Sequence, residues 1–398
     1  MNVSMESKET KTQQSVEVEE KKPKKKKSFF RRILSLLVIL ALVLTAAVLS
    51  SMEDGNHFAS LRRWLMYGES GATQNLYTYA SHQGNRFERL GDDLLLVNPN
   101  CIQILQQGGT VIFELETSMT SPVISVGTEV AAVCDAGGST VYVLDRTGLL
   151  WSHDAADGLT CYSARVSAND CVTITEQKSG YKTSVISYHK NGDMVFRFDS
   201  HDNYIGDAVM TDDGSKLIVV SLEARGGVFA SNLVVFDVAT AQRCGAYALR
   251  DGLVLELAVT GNEIVTLCDK RLMITTLDGE TVFNYAYGER YLHDYALTGA
   301  DFCALLMGRY QSSNVCQLVT FGLDGEEIAA LDLTEEVIDM SAAGNYLAVL
   351  YSDTLVLYDR ALTEVARLDG TDYAGHVRMS EDGTALLAAE TSAWRFLP

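Results

Sequence analysis

Three histidine–aspartate pairs are the residues of this sequence whose types and spacing could most readily do chemistry. They are His153-Asp154, His201-Asp202 and His293-Asp294, and a further histidine, His376, follows them. Imidazole and carboxylate groups are common metal ligands, and imidazole changes its charge near neutral pH. If the fold brings these residues together, they would form a site for a metal or a small molecule, as in a sensor or an enzyme.

Two acidic stretches, Asp212-Asp213-Gly214 and Glu381-Asp382-Gly383, look like fragments of calcium-binding loops. A calcium loop needs oxygen ligands at several alternating positions, and neither stretch continues in that way. Asp-Gly is also the dipeptide that tight hairpin turns favour. We therefore predict turns at both places and no metal.

No motif of a familiar enzyme class accompanies these residues. The sequence has no Cys-x-x-Cys, His-Glu-x-x-His or Gly-x-Ser-x-Gly motif and no glycine-rich phosphate loop. Its eight cysteines are never adjacent in sequence. Cys134 and Cys268 occupy the same position in two distant repeats, so we expect free thiols that fill apolar space, with disulfides as the alternative. The sequence thus predicts a protein that is not an enzyme and has no cofactor.

The charge of the chain is divided between two unequal parts. The whole sequence has a net charge of −20, but residues 1–32 contain ten Lys or Arg against five Asp or Glu. The other residues contain 22 basic against 47 acidic side chains. Nucleic-acid binding needs a basic surface, so the composition argues against it.

An uncharged apolar segment, residues 33–52, follows the basic residues directly. Twenty helical residues span about 30 Å, the thickness of a bilayer's hydrocarbon core. The positive-inside rule then predicts a disordered cytoplasmic tail at 1–32, in contact with anionic lipids of the inner leaflet, and an extracytoplasmic remainder. Residues 53–74 are predicted to be a linker or an interfacial helix. The alternative is a signal peptide, cleaved near the small residues 45–47.

From residue 75 to 398 the sequence consists of short alternating strands separated by Gly, Asp and Asn. One unit of four strands recurs, with spacings of 35 to 48 residues and a mean of 42. This is the length of a propeller blade. The last unit lacks a fourth strand, which residues 75–81 can supply. The pattern therefore predicts an all-β, eight-bladed β-propeller closed by an N-terminal strand, with seven blades as the alternative.

The segment Val141–Trp151 resembles the Ala-x-Asp-x-x-Thr-Gly-x-x-x-Trp repeat of quinoprotein-like (PQQ-like) propellers, and Leu233–Arg243 is a degraded copy. The basic tail, single span and acidic propeller together are similar to uncharacterised membrane-anchored propeller proteins of Gram-positive, largely clostridial, bacteria. Quinone-dependent dehydrogenases of this fold use an adjacent cysteine pair. This sequence lacks such a pair, so the resemblance implies the fold and not that activity.

WD-repeat propellers are also similar, and they bond a histidine at the junction between blades to an aspartate in a turn. The His-Asp pairs lie near such junctions, and three aspartates lie in the matching turns: Asp135, Asp269 and Asp353. The resemblance therefore implies a structural role for the histidines. We favour this role over a ligand site at the channel mouth.

Three turns between second and third strands are longer than the others, at 176–183, 223–231 and 308–314. Long loops on a rigid scaffold often carry binding residues, and Arg and aromatic side chains are enriched at protein interfaces. These turns contain Lys178, Tyr181, Lys182, Arg225, Phe229, Arg309 and Tyr310. They predict a partner-binding surface, although variable loops without a partner would look similar.

The sequence thus predicts a membrane-anchored extracytoplasmic propeller that binds or scaffolds a protein of the bacterial envelope. The alternative is a small-molecule or metal-binding sensor or enzyme, with its site at the channel mouth.

Overall fold

The computed structural model describes residues 72–398, except 157, 226–227, 250–251, 313–314 and 372. The described residues form thirty-two strands in eight four-stranded antiparallel sheets. The prediction of an all-β, eight-bladed propeller is confirmed, and the seven-bladed alternative is wrong. No helix in the described part of the chain is long and apolar enough to cross a membrane. The predicted tail (1–32), span (33–52) and most of the linker (53–74) lie outside the described residues.

Each blade is a meander whose first strand is innermost and whose fourth is outermost. Blade 1 comprises β2 (Arg86–Leu90), β3 (Asp93–Asn98), β4 (Cys101–Leu105) and β5 (Val111–Glu116). Blade 2 comprises β6 (Pro122–Val126), β7 (Val130–Asp135), β8 (Thr140–Asp145) and β9 (Gly148–Asp154). Blade 3 comprises β10 (Cys161–Val166), β11 (Val172–Glu176), β12 (Thr183–Tyr188) and β13 (Met194–Ser200). Blade 4 comprises β14 (Tyr204–Met210), β15 (Lys216–Arg225), β16 (Val228–Asp237) and β17 (Gln242–Ala248).

The second half of the ring repeats this order. Blade 5 comprises β18 (Val254–Thr260), β19 (Glu263–Cys268), β20 (Arg271–Thr276) and β21 (Thr281–Ala286). Blade 6 comprises β22 (Tyr291–Ala296), β23 (Phe302–Gly308), β24 (Cys316–Gly322) and β25 (Glu327–Leu333). Blade 7 comprises β26 (Asp339–Ala343), β27 (Tyr346–Leu350), β28 (Thr354–Asp359) and β29 (Glu364–Asp369). Blade 8 comprises β30 (His376–Met379), β31 (Ala385–Ala388), β32 (Ser392–Leu397) and the N-terminal β1 (Ala72–Thr78).

The two ends of the described chain meet in blade 8. Strand β1 pairs antiparallel with β32, from Ala72 opposite Leu397 to Thr78 opposite Ser392. The predicted closing strand is confirmed, although it begins three residues earlier than expected. Closure gives blade 8 its fourth strand, so every blade is complete and the ring leaves only short strand edges at the channel and at the rim.

The core lies between neighbouring blades. Second strands such as β23 are buried at every residue, because both of their faces pack against another blade. Outer strands such as β21 alternate between exposed and half-buried residues, because only one face is covered. This difference explains why the second strands are continuous apolar runs in the sequence.

The two acidic stretches form turns, as predicted. Asp213 accepts hydrogen bonds from Thr211 Oγ1 and from the amide of Ser215, and these bonds lower the pKa of its carboxyl to about 2. Asp382 accepts hydrogen bonds from the amide and from Oγ1 of Thr384. The glycines that follow, Gly214 and Gly383, have φ of 70° and 81°, which favours glycine at both positions.

Ion pairs join neighbouring blades on one face of the propeller, which we call the lower face. It is formed by the turns between first and second strands and between third and fourth strands. Arg146 of blade 2 binds Asp93 of blade 1, with 2.7 Å between Nε and Oδ2. Arg360 of blade 7 binds Asp301 of blade 6 in the same way. The tryptophan of the quinoprotein-like repeat also crosses a blade boundary, because Trp151 Nε1 donates to the carbonyl oxygen of Lys190 at 2.9 Å.

All eight cysteines are free thiols in the structure, and six of them are buried. Burial raises the pKa of Cys134 to about 11 and that of Cys303 to about 12. These thiols occupy apolar positions between blades, so they pack as small hydrophobic side chains.

Candidate functional site

Most of the predicted site residues lie on one face of the propeller, which we call the upper face. It is formed by the turns between second and third strands and by the connections from each fourth strand to the next first strand. Asp135 joins these two kinds of segment, because its Oδ1 accepts a hydrogen bond from the amide of Ser121 at 2.6 Å. Asp269 Oδ1 likewise accepts a hydrogen bond from the amide of Leu253 at 2.9 Å. These turn aspartates therefore bind backbone amides at the blade junctions, and not the histidines that the WD-repeat resemblance implied. For Asp353 the structure gives only backbone bonds, from Gly370 and Thr371 to its carbonyl oxygen.

His153 is the last residue but one of the outer strand β9 and is packed between blades 2 and 3. Its Nε2 lies 2.7 Å from Oε2 of Glu176, and its ring lies 5.9 Å from the Tyr188 ring. Asp154 accepts a hydrogen bond from Thr140 Oγ1. Both residues of this pair thus have local partners away from the inner strands.

His201 and Asp202 follow β13 and are exposed on the upper face. The His201 ring packs against the Tyr181 ring, with 4.0 Å between ring centroids and 33° between the ring planes. The carbonyl oxygen of Asp202 accepts a hydrogen bond from Lys182 Nζ at 2.6 Å. This His-Asp pair therefore joins the long turn that we predicted as a partner-binding element.

His293 and Asp294 lie in β22, the inner strand of blade 6. His293 Nε2 is 2.9 Å from the carbonyl oxygen of Tyr310, whereas Asp294 faces the central channel. His376 begins the inner strand of blade 8, and its Nδ1 is 3.6 Å from Asp339. The structure therefore spreads the four histidines over several blades. It brings together no group of three or more metal-ligating side chains among the described residues.

A basic and aromatic cluster forms where blades 3 and 4 meet, and we call it the lysine–tyrosine cluster: Lys178, Tyr181, Lys182, His201 and Tyr204. Lys178 Nζ lies 4.5 Å from the Tyr181 ring centroid, and Lys182 Nζ lies 5.1 Å from that of Tyr204. Lys178 also binds Asp199. Only five lysines occur in the propeller sequence, so two of them in one cluster mark a local reversal of its acidic character.

The other predicted contact residues lie in two further projections of the upper face. In blade 4 the expected long turn is mostly a β-hairpin, since Glu223 pairs with Ala230 and Arg225 with Val228. The prediction of a loop there is wrong, because both strands extend to ten residues. Phe229 is 57% exposed at the tip of this hairpin, and the Arg225 side chain lies outside the described residues. In blade 6, Arg309 is exposed and Tyr310 is 66% exposed.

Exposed apolar side chains gather on this same upper face. They lie in the connections into the inner strands, at the first residues of those strands and in the long turns: Val123, Tyr204, Phe229, Leu253, Leu255, Tyr291, Tyr310, Val315, Ile338 and Tyr373. Other large exposed apolar residues lie near the beginnings of outer strands, as Met194 does in β13. A surface of this kind is typical of protein docking sites.

A second feature, which our sequence reasoning missed, is the charged central channel. A cavity of about 1010 Å³ is lined by the inner strands of all eight blades and continues to the turns of the lower face. Seven of the inner strands each contribute one charged side chain to a set that we call the channel ring: Glu88, Arg165, Asp207, Glu256, Asp294, Asp339 and Arg378. Arg89 of β2 also lines the cavity. The ring therefore has five carboxyl groups and two guanidinium groups.

Each of the two arginines of the channel ring binds two carboxyl groups, so six of the seven ring side chains form two groups of three. Arg165 of blade 3 binds Glu256 of blade 5 at 2.5 Å and lies 3.8 Å from Asp207 of blade 4. Arg378 of blade 8 binds Glu88 of blade 1 at 2.7 Å and Asp339 of blade 7 at 3.0 Å. Each guanidinium thus joins carboxylates from two other blades.

Asp294 lies between these groups and has no arginine within ion-pair distance in the described part of the chain. It accepts a hydrogen bond from the backbone amide of Tyr295 at 2.8 Å. Burial, with a smaller contribution from the negative charge of Asp339, raises the pKa of the Asp294 carboxyl to about 6. Asp294 therefore changes its charge closer to neutral pH than an ordinary aspartate does, and burial raises the pKa values of Glu88 and Asp207 as well.

The sequence did contain a signal for this ring. Seven of the eight inner strands carry a charged residue beside apolar ones, as in Arg86–Leu90 and Cys161–Val166, and the exception is β6. A charged residue in the innermost strand lies beside the channel, because this strand forms the channel wall. Aligning the inner strands of the repeat would have found these residues.

The fold and its surfaces define the class of protein: an eight-bladed β-propeller of the type seen in solved WD40 and BamB structures. The C-terminal WD40 domain of Sif2 matches 83% of this chain and 100% of its own length, with 12% identity and a TM-score of 0.58. BamB from Moraxella catarrhalis matches 82% of this chain and 100% of its own length, with 14% identity and a TM-score of 0.52. At these identities the likeness concerns the fold alone.

The chain belongs to the family described as "Family of unknown function (DUF5711)", whose pattern matches residues 70–367. It is also 28% identical over 183 residues to Protein Rv3035 of Mycobacterium tuberculosis. That match covers 44% of this chain and 43% of the relative, so the chain spans less than half of the length of this curated relative.

Proposed function

We propose that this protein is a non-catalytic propeller that binds a partner protein through its upper face. The observation that carries the proposal is the concentration of exposed apolar side chains on that face, beside the lysine–tyrosine cluster. Exposing large apolar side chains to water is unfavourable, and their burial against a partner contributes about 25 cal/mol for each Å². A propeller fold, as in the WD40 and BamB structures, is consistent with an interaction or scaffolding role.

The cluster supplies specificity within this apolar surface. The Lys178 and Lys182 ammonium groups lie against aromatic rings and bind Asp199 and the Asp202 carbonyl oxygen, so their positions are fixed before a partner arrives. A pre-ordered side chain loses less conformational entropy on binding than a mobile one. We therefore assign the cluster, with Phe229 and Tyr310, to the interface.

We further propose that the propeller is held at the bacterial membrane and acts outside the cytoplasm on a protein of the cell envelope. The uncharged segment 33–52 and the basic residues before it support this placement. In that arrangement the acidic propeller and the basic tail would lie on opposite sides of the bilayer.

The test is affinity purification of the full-length protein from its own membranes after chemical cross-linking. We expect a specific partner that is recovered with the wild type and lost when Tyr204, Phe229 and Tyr310 are changed together to Ser. The matched control is Met194→Ser, which removes an apolar side chain of 60% exposure from an outer strand. An unchanged set of partners in the triple variant would refute the assignment of the upper face.

A further inference from the structure

The central cavity carries an excess of negative charge that its own arginines do not neutralise. Six acidic side chains line the cavity against three arginines: Glu88, Asp212, Glu256, Asp294, Asp339 and Glu381 against Arg89, Arg165 and Arg378. Arg165 and Arg378 are already bound to ring carboxylates. Charges of one sign in a cavity with low-dielectric walls attract counter-ions more strongly than the same charges on an open surface. A cationic ligand is therefore the one that this cavity favours.

The position of Asp294 indicates where the cation would lie. Its inner strand β22 stands between those of Glu256 and Asp339, so three successive blades present carboxyl groups to the cavity. Asp294 accepts a hydrogen bond from the amide of Tyr295, whereas Glu256 and Asp339 each bind an arginine. Asp294 thus keeps acceptor capacity for a donor that enters the cavity.

The arrangement of the carboxyl groups argues against a metal ion. A metal needs several oxygen or nitrogen ligands around one point, and no group of three or more suitable side chains is found in the described residues. The ring carboxyl groups come from different blades and surround a cavity of about 1010 Å³, which has the volume of a site for an organic molecule. Separated carboxylates match separated positive charges on one elongated molecule.

We propose that the central cavity binds an organic cation with alkylammonium groups, one of which pairs with Asp294 while another faces the carboxylates of Glu256 or Asp339. The ligand chemistry is that of a free polyamine or of a lysine side chain presented by a partner protein. This site is distinct from the upper-face interface, and neither proposal depends on the other.

The pH dependence of binding follows from the surroundings of Asp294. The charged and titratable groups that face it are Asp339 and Glu256 from the neighbouring inner strands β26 and β18, Arg378 from β30 two blades away, and Tyr295 beside it in β22. Protonation of Asp294 below about pH 6 removes the charge that the ammonium group would bind. Affinity should therefore fall as the pH is lowered through this value.

The experiment is isothermal titration calorimetry of the full-length protein with spermidine at pH 7.5 and at pH 5.0. A short peptide with one lysine among neutral residues is titrated in parallel. We expect spermidine, the peptide or both to bind at pH 7.5 and to bind at least about tenfold more weakly at pH 5.0. Binding of spermidine assigns the site to a free polyamine, and binding of the peptide alone assigns it to a partner's lysine.

Asp294→Asn should weaken this binding about tenfold at pH 7.5 and remove its pH dependence. The matched control is Asp278→Asn in blade 5, which neutralises an exposed aspartate of the turn between β20 and β21. The pH comparison on the wild type needs no variant, so the proposal remains testable if Asp294→Asn fails to fold. Absence of binding by both probes, equal affinity in Asp294→Asn, or saturable binding of Mg²⁺ that Asp294→Asn abolishes would each overturn it.

Discussion

The guanidinium of Arg378 donates a hydrogen bond to the carboxylate of Glu88 across the boundary between the last and first blades, with 2.7 Å between Nε and Oε1. The two residues are 290 positions apart in the chain. Arg378 Nη1 also binds Asp339 of blade 7. One side chain therefore connects three blades at the place where the ring closes.

Replacing Arg378 by Met should destabilise the propeller by about 3–5 kcal/mol. The reason is that Glu88 and Asp339 would remain in the channel without their positive partner, and an uncompensated buried charge costs more than the pair contributes. Burial already raises the pKa of Glu88 despite the arginine. Urea unfolding at pH 7.5 measures the change in the free energy of unfolding.

The control for this prediction is Arg367→Met. Arg367 binds Glu364 at 2.8 Å within the outer strand β29, where both side chains are more than two-fifths exposed. An exposed pair of this kind contributes at most about 1 kcal/mol. Equal losses in the two variants would show that the ring ion pairs have no special role in closure.

Asp294→Asn should change how the stability of the protein depends on pH. Because the pKa of Asp294 is raised to about 6 in the folded state, the folded protein binds this proton more tightly than the unfolded chain does. The stabilising contribution of Asp294 to the free energy of unfolding is present at low pH and is lost as the pH rises through 6. Its upper limit is about 3 kcal/mol. The variant should therefore be more stable than the wild type at pH 7.5 and no more stable at pH 4.5.

Urea unfolding at these two pH values measures the difference. Asp213 and Asp237 have pKa values lowered to about 2, and their opposite contribution is lost only below about pH 4. The chosen interval therefore isolates carboxyl groups with raised pKa values. If the variant and the wild type lose the same free energy between pH 4.5 and 7.5, Asp294 does not titrate in this range.

Tyr79→Phe should weaken the closure of the ring by about 1–2 kcal/mol. The Tyr79 hydroxyl donates toward the carbonyl oxygens of Ala389 and Ser392, at 2.7 and 2.8 Å, and so fastens the N-terminal segment to blade 8. Hydrogen exchange should show faster exchange in β1 and β32 than in β19, which lies across the ring. The control is Tyr373→Phe, because Tyr373 is 79% exposed and its hydroxyl group reaches solvent. Uniformly faster exchange in all blades would contradict a local effect.

The repeat could be predicted from the sequence because each blade uses the same local rules. Turn residues such as Asp213-Gly214 specify tight hairpins, and the second strands are apolar throughout because they are buried on both faces. The closing strand was also predictable, since an incomplete last unit requires a partner from the other end of the chain. Its beginning at Ala72 differs from the predicted residue 75 because pairing with β32 continues to Leu397.

The side-chain partners could not be predicted in the same way. His153 binds Glu176 of the next blade, and Arg165 reaches Glu256 two blades away. Both contacts depend on the distance between blades, which the ring geometry determines and the sequence spacing does not. The hairpin of blade 4 was missed for a different reason, because Glu223–Ser231 has the composition of a loop although its backbone pairs as strands.

The thiols of the native protein should divide into one reactive group and a larger inert group. Cys244 lies exposed on the outer strand β17, Cys101 is half-buried, and the other six cysteines are buried. A thiol reacts as its thiolate, and burial raises the pKa of Cys161 to about 12, so its thiolate is scarce at pH 8. Titration with Ellman's reagent at pH 8 should show one fast thiol, which Cys244→Ser removes and Cys303→Ser does not. All eight thiols should react in urea, and two or more fast thiols in the native state would mean that the blades separate on the timescale of the reaction.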